Sequence, residues 1–297
     1  MSLSRSRSHT VDVAGVALII TSAAGFATLA IFGKLAFASG MTLPTMLTLR
    51  FAGAAALFWA MLAATGAAAA FLGRRKIAQL LLMGGLGYAG QSTLYMISVA
   101  LLPAAVVGML LYTYPMWVTL MAWWLHGDKP DGRRWLALGL ALTGTTLIAG
   151  APEGQINPLG IVTALLAGLW YASYIVFGNR IIKGVAPLVS SAWILLGAAI
   201  SFSLAGWLLG QIQFTFASPQ GWLAVGGMIL MSTVIPVVTF LAGLQRVGPT
   251  QSALLSALEP VFTVALAVAF LGEHLAPLQI AGSVLVIIAV VLLQLRR

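Results

Sequence analysis

Charge is what this sequence has least of. Of 297 residues, 7% are charged, against about 25% in ordinary soluble domains. With 61% hydrophobic residues and a mean hydropathy of +1.03, that shortage excludes a soluble globular domain and points to a polytopic membrane protein. Cysteine is absent, so disulfides, thiolate nucleophiles and thiol metal sites are excluded. The three histidines, His9, His126 and His274, fall in loops or at span ends, and no paired carboxylates sit at membrane depth. An intramembrane enzyme would need such a set, so the chain is read as a non-enzyme. No GxxxxGK[ST] phosphate loop occurs, which argues against direct ATP drive, and the reading calls for no cofactor and no metal. Neither a ring of like charges nor a filter repeat is present, which argues against a pore.

Acidic residues are also few, six against fifteen basic ones, for a net charge of +9. A basic balance of that size invites a nucleic-acid reading, but the bases lie in short loops between apolar runs. They are a topology signal, and nucleic acid is excluded as a partner. The basic start, MSLSRSRSHTVD, lacks a small-residue cleavage site before the first apolar run, so that run is read as an uncleaved first helix.

Apolar runs punctuated by Gly, Pro or basic residues predict ten spans, roughly at 13–36, 43–64, 77–98, 103–125, 134–150, 158–178, 187–209, 221–242, 250–271 and 277–295. A cytoplasmic N-terminus places Arg5, Arg7, Arg74, Arg75, Lys76, Lys129, Arg133, Arg134, Arg180, Lys183, Arg246, Arg296 and Arg297 on the inside, and no basic residue in an outside loop. The other two of the fifteen, Lys34 and Arg50, fall within spans. This separation supports ten helices with both termini cytoplasmic.

An internal repeat accompanies the count. Gly15 and Gly160, Phe32-Gly33 and Phe177-Gly178, Met83 and Met228, Pro115 and Pro260, Gly127 and Gly272, and Asp128 and Glu273 are all 145 residues apart. Residues 1–12 read as a cytoplasmic tail, 13–150 as a first five-helix repeat and 158–295 as a second. Five is odd, so the second repeat enters the membrane inverted, an architecture of secondary transporters whose sites lie where the halves meet.

Within this frame one stretch, PTQSALLSALEPVFTVALAVAFLGEHLAP, carries Glu259 near the middle of a span with Pro260 directly after it. A central charge costs about 2.5–3.5 kcal/mol on insertion scales, so Glu259 must pair, accept hydrogen bonds or take up a proton. Tyr114-Pro115 occupies the equivalent place in the first repeat. Helical spacing groups Tyr88, Gln91, Ser92 and Tyr95 on one face of the third span, and Ser252, Ser256, Glu259 and Thr263 on one face of the ninth. Tyr114 and Trp117 in the fourth span, with Trp170, Tyr171 and Tyr174 in the sixth, supply aromatic walls. Such a cavity suits a small amphipathic solute with an apolar side chain. Each of these residues also has a bland reading, as a packing or interfacial residue or as a hydroxyl bonded to its own helix. Tyr112, Trp123, Trp124 and Trp135 read as interfacial or packing residues, and Gly84, Gly85, Gly87 and Gly90 as close-packing positions.

Two roles fit Glu259: a proton-coupling or substrate-ammonium group, or a structural carboxylate bonded to backbone donors. Three fit Arg50: a partner for Glu259, a site for a carboxylate, or a side chain snorkelling to the outer interface. Lys34 snorkels, or lends positive charge to the cavity mouth.

The segments LEPVFTVALAVAFLGEHLAPLQIAGSVLVIIAVVLL, YPMWVTLMAWWLHGDKPDGRRWLALGLALTGTTLI and ALLAGLWYASYIVFGNRII resemble parts of an EamA-type repeat. Over nearly its full length the chain resembles the EamA-like branch of the drug/metabolite transporter superfamily, most of all bacterial exporters of aromatic and other neutral amino acids. The resemblance implies ten helices in two inverted repeats around a central cavity. It also implies a secondary transporter in the inner membrane, acting by alternating access on a small-molecule substrate. Exporters of other metabolites or drugs of the same superfamily are the alternative. Membrane lipid is the surrounding partner, and no oligomer is required. One departure stands out: the first helix has Gly25-Phe26 where the family often has Trp-Gly, whereas the second repeat keeps Trp170.

Pro115, Pro236 and Pro260 lie inside spans and are natural gating hinges. Pro115→Ala and Pro260→Ala are expected to lower the transport rate more than the amount of protein in the membrane. Equal losses in an uptake assay and a membrane immunoblot would remove the hinge reading.

Overall fold

The computed structural model describes residues 12–65, 72–127, 129–149, 157–213 and 218–294. Arg5, Arg7, Asp128, Arg296, Arg297 and the tail up to residue 11 lie outside the described residues.

Every regular element among the described residues is helical. They are α1 (Val13–Ala38), α2 (Leu43–Ala64), α3 (Arg74–Leu82), α4 (Ala89–Leu101), α5 (Ala104–Leu111), α6 (Tyr114–His126), α7 (Gly132–Ala149), α8 (Pro158–Ile182), α9 (Pro187–Leu208), α10 (Pro219–Ile229), α11 (Ile235–Ser256), α12 (Glu259–Leu271) and α13 (Pro277–Gln294). Two π-helical turns, Met83–Tyr88 and Leu230–Val234, join α3 to α4 and α10 to α11. Helix starts carry the expected caps. Asp12 accepts from Gly15 N at 2.9 Å, Asn157 from Leu159 N at 2.9 Å and Ser218 from Gly221 N at 3.2 Å.

Eight helices are long and apolar enough to cross a membrane by length and composition. The predicted spans at 77–98 and 134–150 are not among them. The first carries Gln91, Ser92 and Thr93 beside four glycines, which lower its hydropathy; the second opens on Arg133-Arg134.

The 145-residue offset recurs in the secondary structure. Val13 and Pro158 open long helices, and α7 and α13 start and stop 145 residues apart. The pair α5 and α6, broken at Tyr112-Thr113, recurs as a helix after Gly248 and then α12, broken at Ala257-Leu258. Gly248 has φ +79°, so α11 breaks there, at a conformation glycine tolerates best.

Contacts between equivalent helices run head to tail. In α2 and α9, Phe51 stacks on Phe202 (5.4 Å between centroids), Trp59 meets Trp193 edge-on (4.9 Å), and Pro44 lies by Gly206. Numbers rise along one helix as they fall along the other, so these counterparts are antiparallel. In α7 and α13, Gly144 faces Gly282 while Ala137 clusters with Ala289, again antiparallel. The first helix of each half packs on the third and fourth of the other, α1 on α10–α12 and α8 on α4–α6. The core is therefore shared by both halves.

The α7–α13 crossing depends on the absence of side chains: a Cβ on Gly144 would stand 2.5 Å from the Gly282 carbonyl oxygen, and one on Gly282 equally close to that of Gly144. Gly144→Ala is expected to destabilise the purified protein by about 1–3 kcal/mol, seen as a lower Tm. Gly139→Ala, on the same helix with open space around it, is expected to leave Tm unchanged or slightly raised. Equal effects of the two would contradict this packing.

Candidate functional site

Where helices break inside an apolar bundle, freed backbone groups need partners from the protein itself. The break at Ala257-Leu258 leaves the Ser256 carbonyl without a helical donor. The Tyr112 hydroxyl sits 2.9 Å from that oxygen and 2.8 Å from Glu259 Oε2. One phenolic proton faces two acceptors. An ionised Glu259 competes with Ser256 for it, whereas a protonated Glu259 donates to the phenol oxygen and frees Tyr112 to bond Ser256. The arrangement accommodates both forms. Glu259 also opens the first turn of α12, where aligned backbone N–H groups favour negative charge. Tyr112, read from the sequence as a packing or interfacial group, is thus bonded to Glu259 in the structure. The helix break falls at Tyr112-Thr113, and the Tyr112 hydroxyl reaches Glu259.

From Tyr112 an unbroken line of rings runs across the bundle. Tyr112 meets Tyr114 (5.6 Å), Tyr114 meets Tyr171 (4.9 Å) and Tyr171 stacks on Tyr174 (6.1 Å). Tyr174 then meets Tyr88 (6.0 Å), and Tyr88 meets Phe51 edge-on (5.1 Å). The Arg50 guanidinium lies 4.9 Å from the Phe51 ring centre. One carboxylate and one guanidinium therefore mark the two ends of an aromatic wall. The remaining tyrosine, Tyr95, is buried within electrostatic reach of both Glu259 and Arg50. Five of the six tyrosines of the chain form this line.

Arg50 is 1% exposed. Its Nε donates to Thr233 Oγ1 at 3.0 Å, and Tyr88 stands edge-on to Phe51, the ring beneath the guanidinium. Such burial rules out snorkelling. Among the described residues the one ion pair joins Arg246 to Asp12 at 4.0 Å, so Arg50 and Glu259 are not paired with each other. Lys34 is half-buried, and the acid acting on it is Glu273. Glu273 itself accepts from the Ala104 and Ala105 amides at 2.6 and 3.0 Å, capping α5 across the boundary between halves.

Other expected site residues fall into place unevenly. Gln91 and Ser92 are buried beside Tyr95 in α4, their side chains 3.4 Å apart. Ser256 is half-buried and offers its carbonyl to Tyr112. Ser252 bonds its own helix at the Gly248 carbonyl (2.8 Å), as Thr263 does at that of Glu259 (3.0 Å). The Trp117 indole N–H is buried without a partner among the described residues. Trp170 is 45% exposed and donates to the Gly87 carbonyl in the first π turn at 2.9 Å, which makes it a backbone cap. At the equivalent place in α1, a side chain on Gly25 would strike the Pro236 ring, which explains the missing tryptophan. Trp123 and Trp135 meet edge-on (5.5 Å), and Trp124 is 84% exposed, as interfacial residues would be.

The prolines stand at restarts. Pro115 and Pro260 occupy the first turns of α6 and α12, each after a two-residue break, and Pro236 follows the second π turn. The Pro236 carbonyl accepts from Ser22 Oγ at 2.8 Å. A groove between α2 and α9, lined by Ala55, Trp59, Leu196 and Ala199, is apolar and holds none of these charges.

The chain is 32% identical over 203 residues to the uncharacterized transporter sll1319 of Synechocystis sp., covering 66% of this chain and 60% of that protein. It is 26% identical to the uncharacterized inner membrane transporter YedA of Escherichia coli (65% and 62% covered). It is 25% identical to the threonine/homoserine exporter RhtA of Escherichia coli (67% and 65%). The chain thus spans less than two thirds of the length of these curated relatives. A crystal structure at 21% identity aligns with a TM-score of 0.66 over 94% of this chain and 95% of its own, a likeness of fold. The EamA-like transporter family model matches residues 13–150 and again 158–295, and the chain belongs to that family.

Proposed function

We propose that the protein is a secondary transporter of the inner membrane that exports small metabolites, foremost aromatic and other neutral amino acids, by alternating access. The observation that carries this reading is the ring line from Glu259 to Arg50, set at the breaks in the fourth and ninth predicted spans. An amino acid with an apolar side chain has one part for the rings and two charged ends for polar groups. Helices interrupted near the middle of the bundle are where transporters of inverted repeats place their sites. The antiparallel pairing of α2 with α9 and of α7 with α13 supports such an inversion, with ten spans and both termini cytoplasmic. The likeness to an exporter of threonine and homoserine supports amino acids as the class, and the likeness to YedA supports the inner membrane. In this reading Pro115, Pro236 and Pro260 are the gating hinges, and substrate moves past Tyr114, Trp117, Tyr171 and Tyr174.

The test is uptake of labelled phenylalanine, leucine and threonine into liposomes holding the purified protein, with and without an imposed pH gradient. Saturable uptake is expected. If Glu259 carries the coupling proton, the gradient accelerates uptake and Glu259→Gln abolishes the acceleration. If Glu259 serves structure alone, the gradient has no effect. Tyr112→Phe removes the hydroxyl shared by Ser256 and Glu259 and is expected to cut the rate roughly tenfold, the size of one hydrogen bond to a charged group. Absence of saturable uptake of any amino acid would overturn the substrate class.

A further inference from the structure

Arg50 is left without a counter-charge by everything described so far. A buried guanidinium is costly unless paired, and intramembrane charges are retained chiefly where they serve function. Here the guanidinium is enclosed, yet its partners are the Thr233 hydroxyl and the face of Phe51. No carboxylate of the described residues lies within 4.0 Å of it. Its position is also distinctive. Tyr88 ends the first π turn and Thr233 lies in the second, and the two are 145 residues apart. Thr233 bonds Arg50 directly and Tyr88 packs on the Phe51 ring beneath it, so equivalent positions of both halves lie around one side chain whose own counterpart, Leu195, is apolar. π turns of this kind recur at functional sites because they re-aim side chains. At the far end of the ring line Glu259 is likewise bonded to a hydroxyl and not to a cation.

We propose that Arg50 is the specificity residue of the transport site, binding the carboxylate of a zwitterionic substrate whose ammonium group lies towards Glu259 and whose side chain lies along the tyrosine wall. This rests on the carrier reading above and narrows it. A guanidinium grips a carboxylate with two parallel N–H···O bonds, which an amide or a bare amine cannot accept in the same way. Because Thr233 and Tyr88 come from opposite halves, a carboxylate bound there is sensed by both third helices at once.

The experiment compares four ligands of one side chain: L-phenylalanine, L-phenylalaninamide, phenethylamine and 3-phenylpropionate. Inhibition of labelled phenylalanine uptake is measured for the wild type, Arg50→Lys and Arg50→Gln, and the thermal stability of each purified protein is measured with 3-phenylpropionate. For the wild type, the amide and the amine are expected to compete roughly tenfold or more weakly than phenylalanine. Arg50→Lys keeps the preference at lower affinity. Arg50→Gln raises the KM for phenylalanine by a similar factor while leaving competition by the amide unchanged. 3-Phenylpropionate raises the Tm of the wild type and of Arg50→Lys, but not of Arg50→Gln.

Equal competition by acid and amide in the wild type would overturn the proposal even if Arg50→Gln does not fold. So would an equal loss of both ligands in Arg50→Gln, which marks a purely structural bolt between the π turns. If no amino acid is carried but 3-phenylpropionate stabilises the protein through Arg50, the carboxylate site stands and the amino-acid reading falls. If amino acids are carried with no dependence on their carboxylate, the reverse holds.

Discussion

Backbone groups released inside an apolar bundle must be satisfied by the protein, and the rest of this structure follows from how that is done. Helices here are interrupted at Tyr112-Thr113, at Ala257-Leu258, at Gly248 and at two π turns. At these places side chains take over from the helical ladder. Tyr112 serves the Ser256 carbonyl, Trp170 that of Gly87, Ser22 that of Pro236 and Thr233 that of Met228. Glu273 serves the open amides of α5. With the exception of Thr233, each of these bonds joins the two halves. The bonds that make the interruptions tolerable also hold the halves together.

The same interruptions concentrate chemistry. A straight apolar helix has no reason to carry Glu259, but a helix start does, because its first N–H groups welcome a carboxylate. A π turn shifts the side chains after it relative to those before, and that shift delivers Tyr88 and Thr233 to Arg50. The charged and aromatic residues are not symmetric between the halves, although the backbone is. Tyr114 answers to Glu259, Tyr88 to Thr233 and Arg50 to Leu195. A symmetric scaffold with an asymmetric lining can change conformation by exchanging equivalent packings while offering a polar, oriented ligand one preferred pose.

Much of the scaffold was legible in the chain. The offset of 145 residues, visible in scattered pairs such as Phe32-Gly33 and Phe177-Gly178, reappears in helix ends, breaks and crossings. Prolines 115 and 260 marked the places where helices restart. The candidate site was legible in part: the sequence singled out Tyr88, Tyr114, Tyr171, Tyr174 and Glu259, which the structure brings into one line, because aromatic and acidic residues are conspicuous among leucines and alanines. The bond from Tyr112 to Glu259 was not legible, because a tyrosine near a span end reads equally well as an interfacial or packing residue. The π turns were invisible because their backbone angles barely differ from those of an α-helix, and MGGLGY and LMSTV share no residue pattern. The burial of Arg50 was left open because distance from a helix end does not say which way a long side chain turns.

Alternating exposure of the site to the two sides of the membrane is the central claim, and the lack of cysteine makes it directly measurable. A single cysteine at Ser256→Cys, beside Glu259, is probed in sealed vesicles with a membrane-impermeant maleimide applied from either side. The account calls for labelling from both sides, with phenylalanine altering the ratio of the two rates. A thiol unreactive from both sides, or rates on both sides that ignore every amino acid, would contradict it.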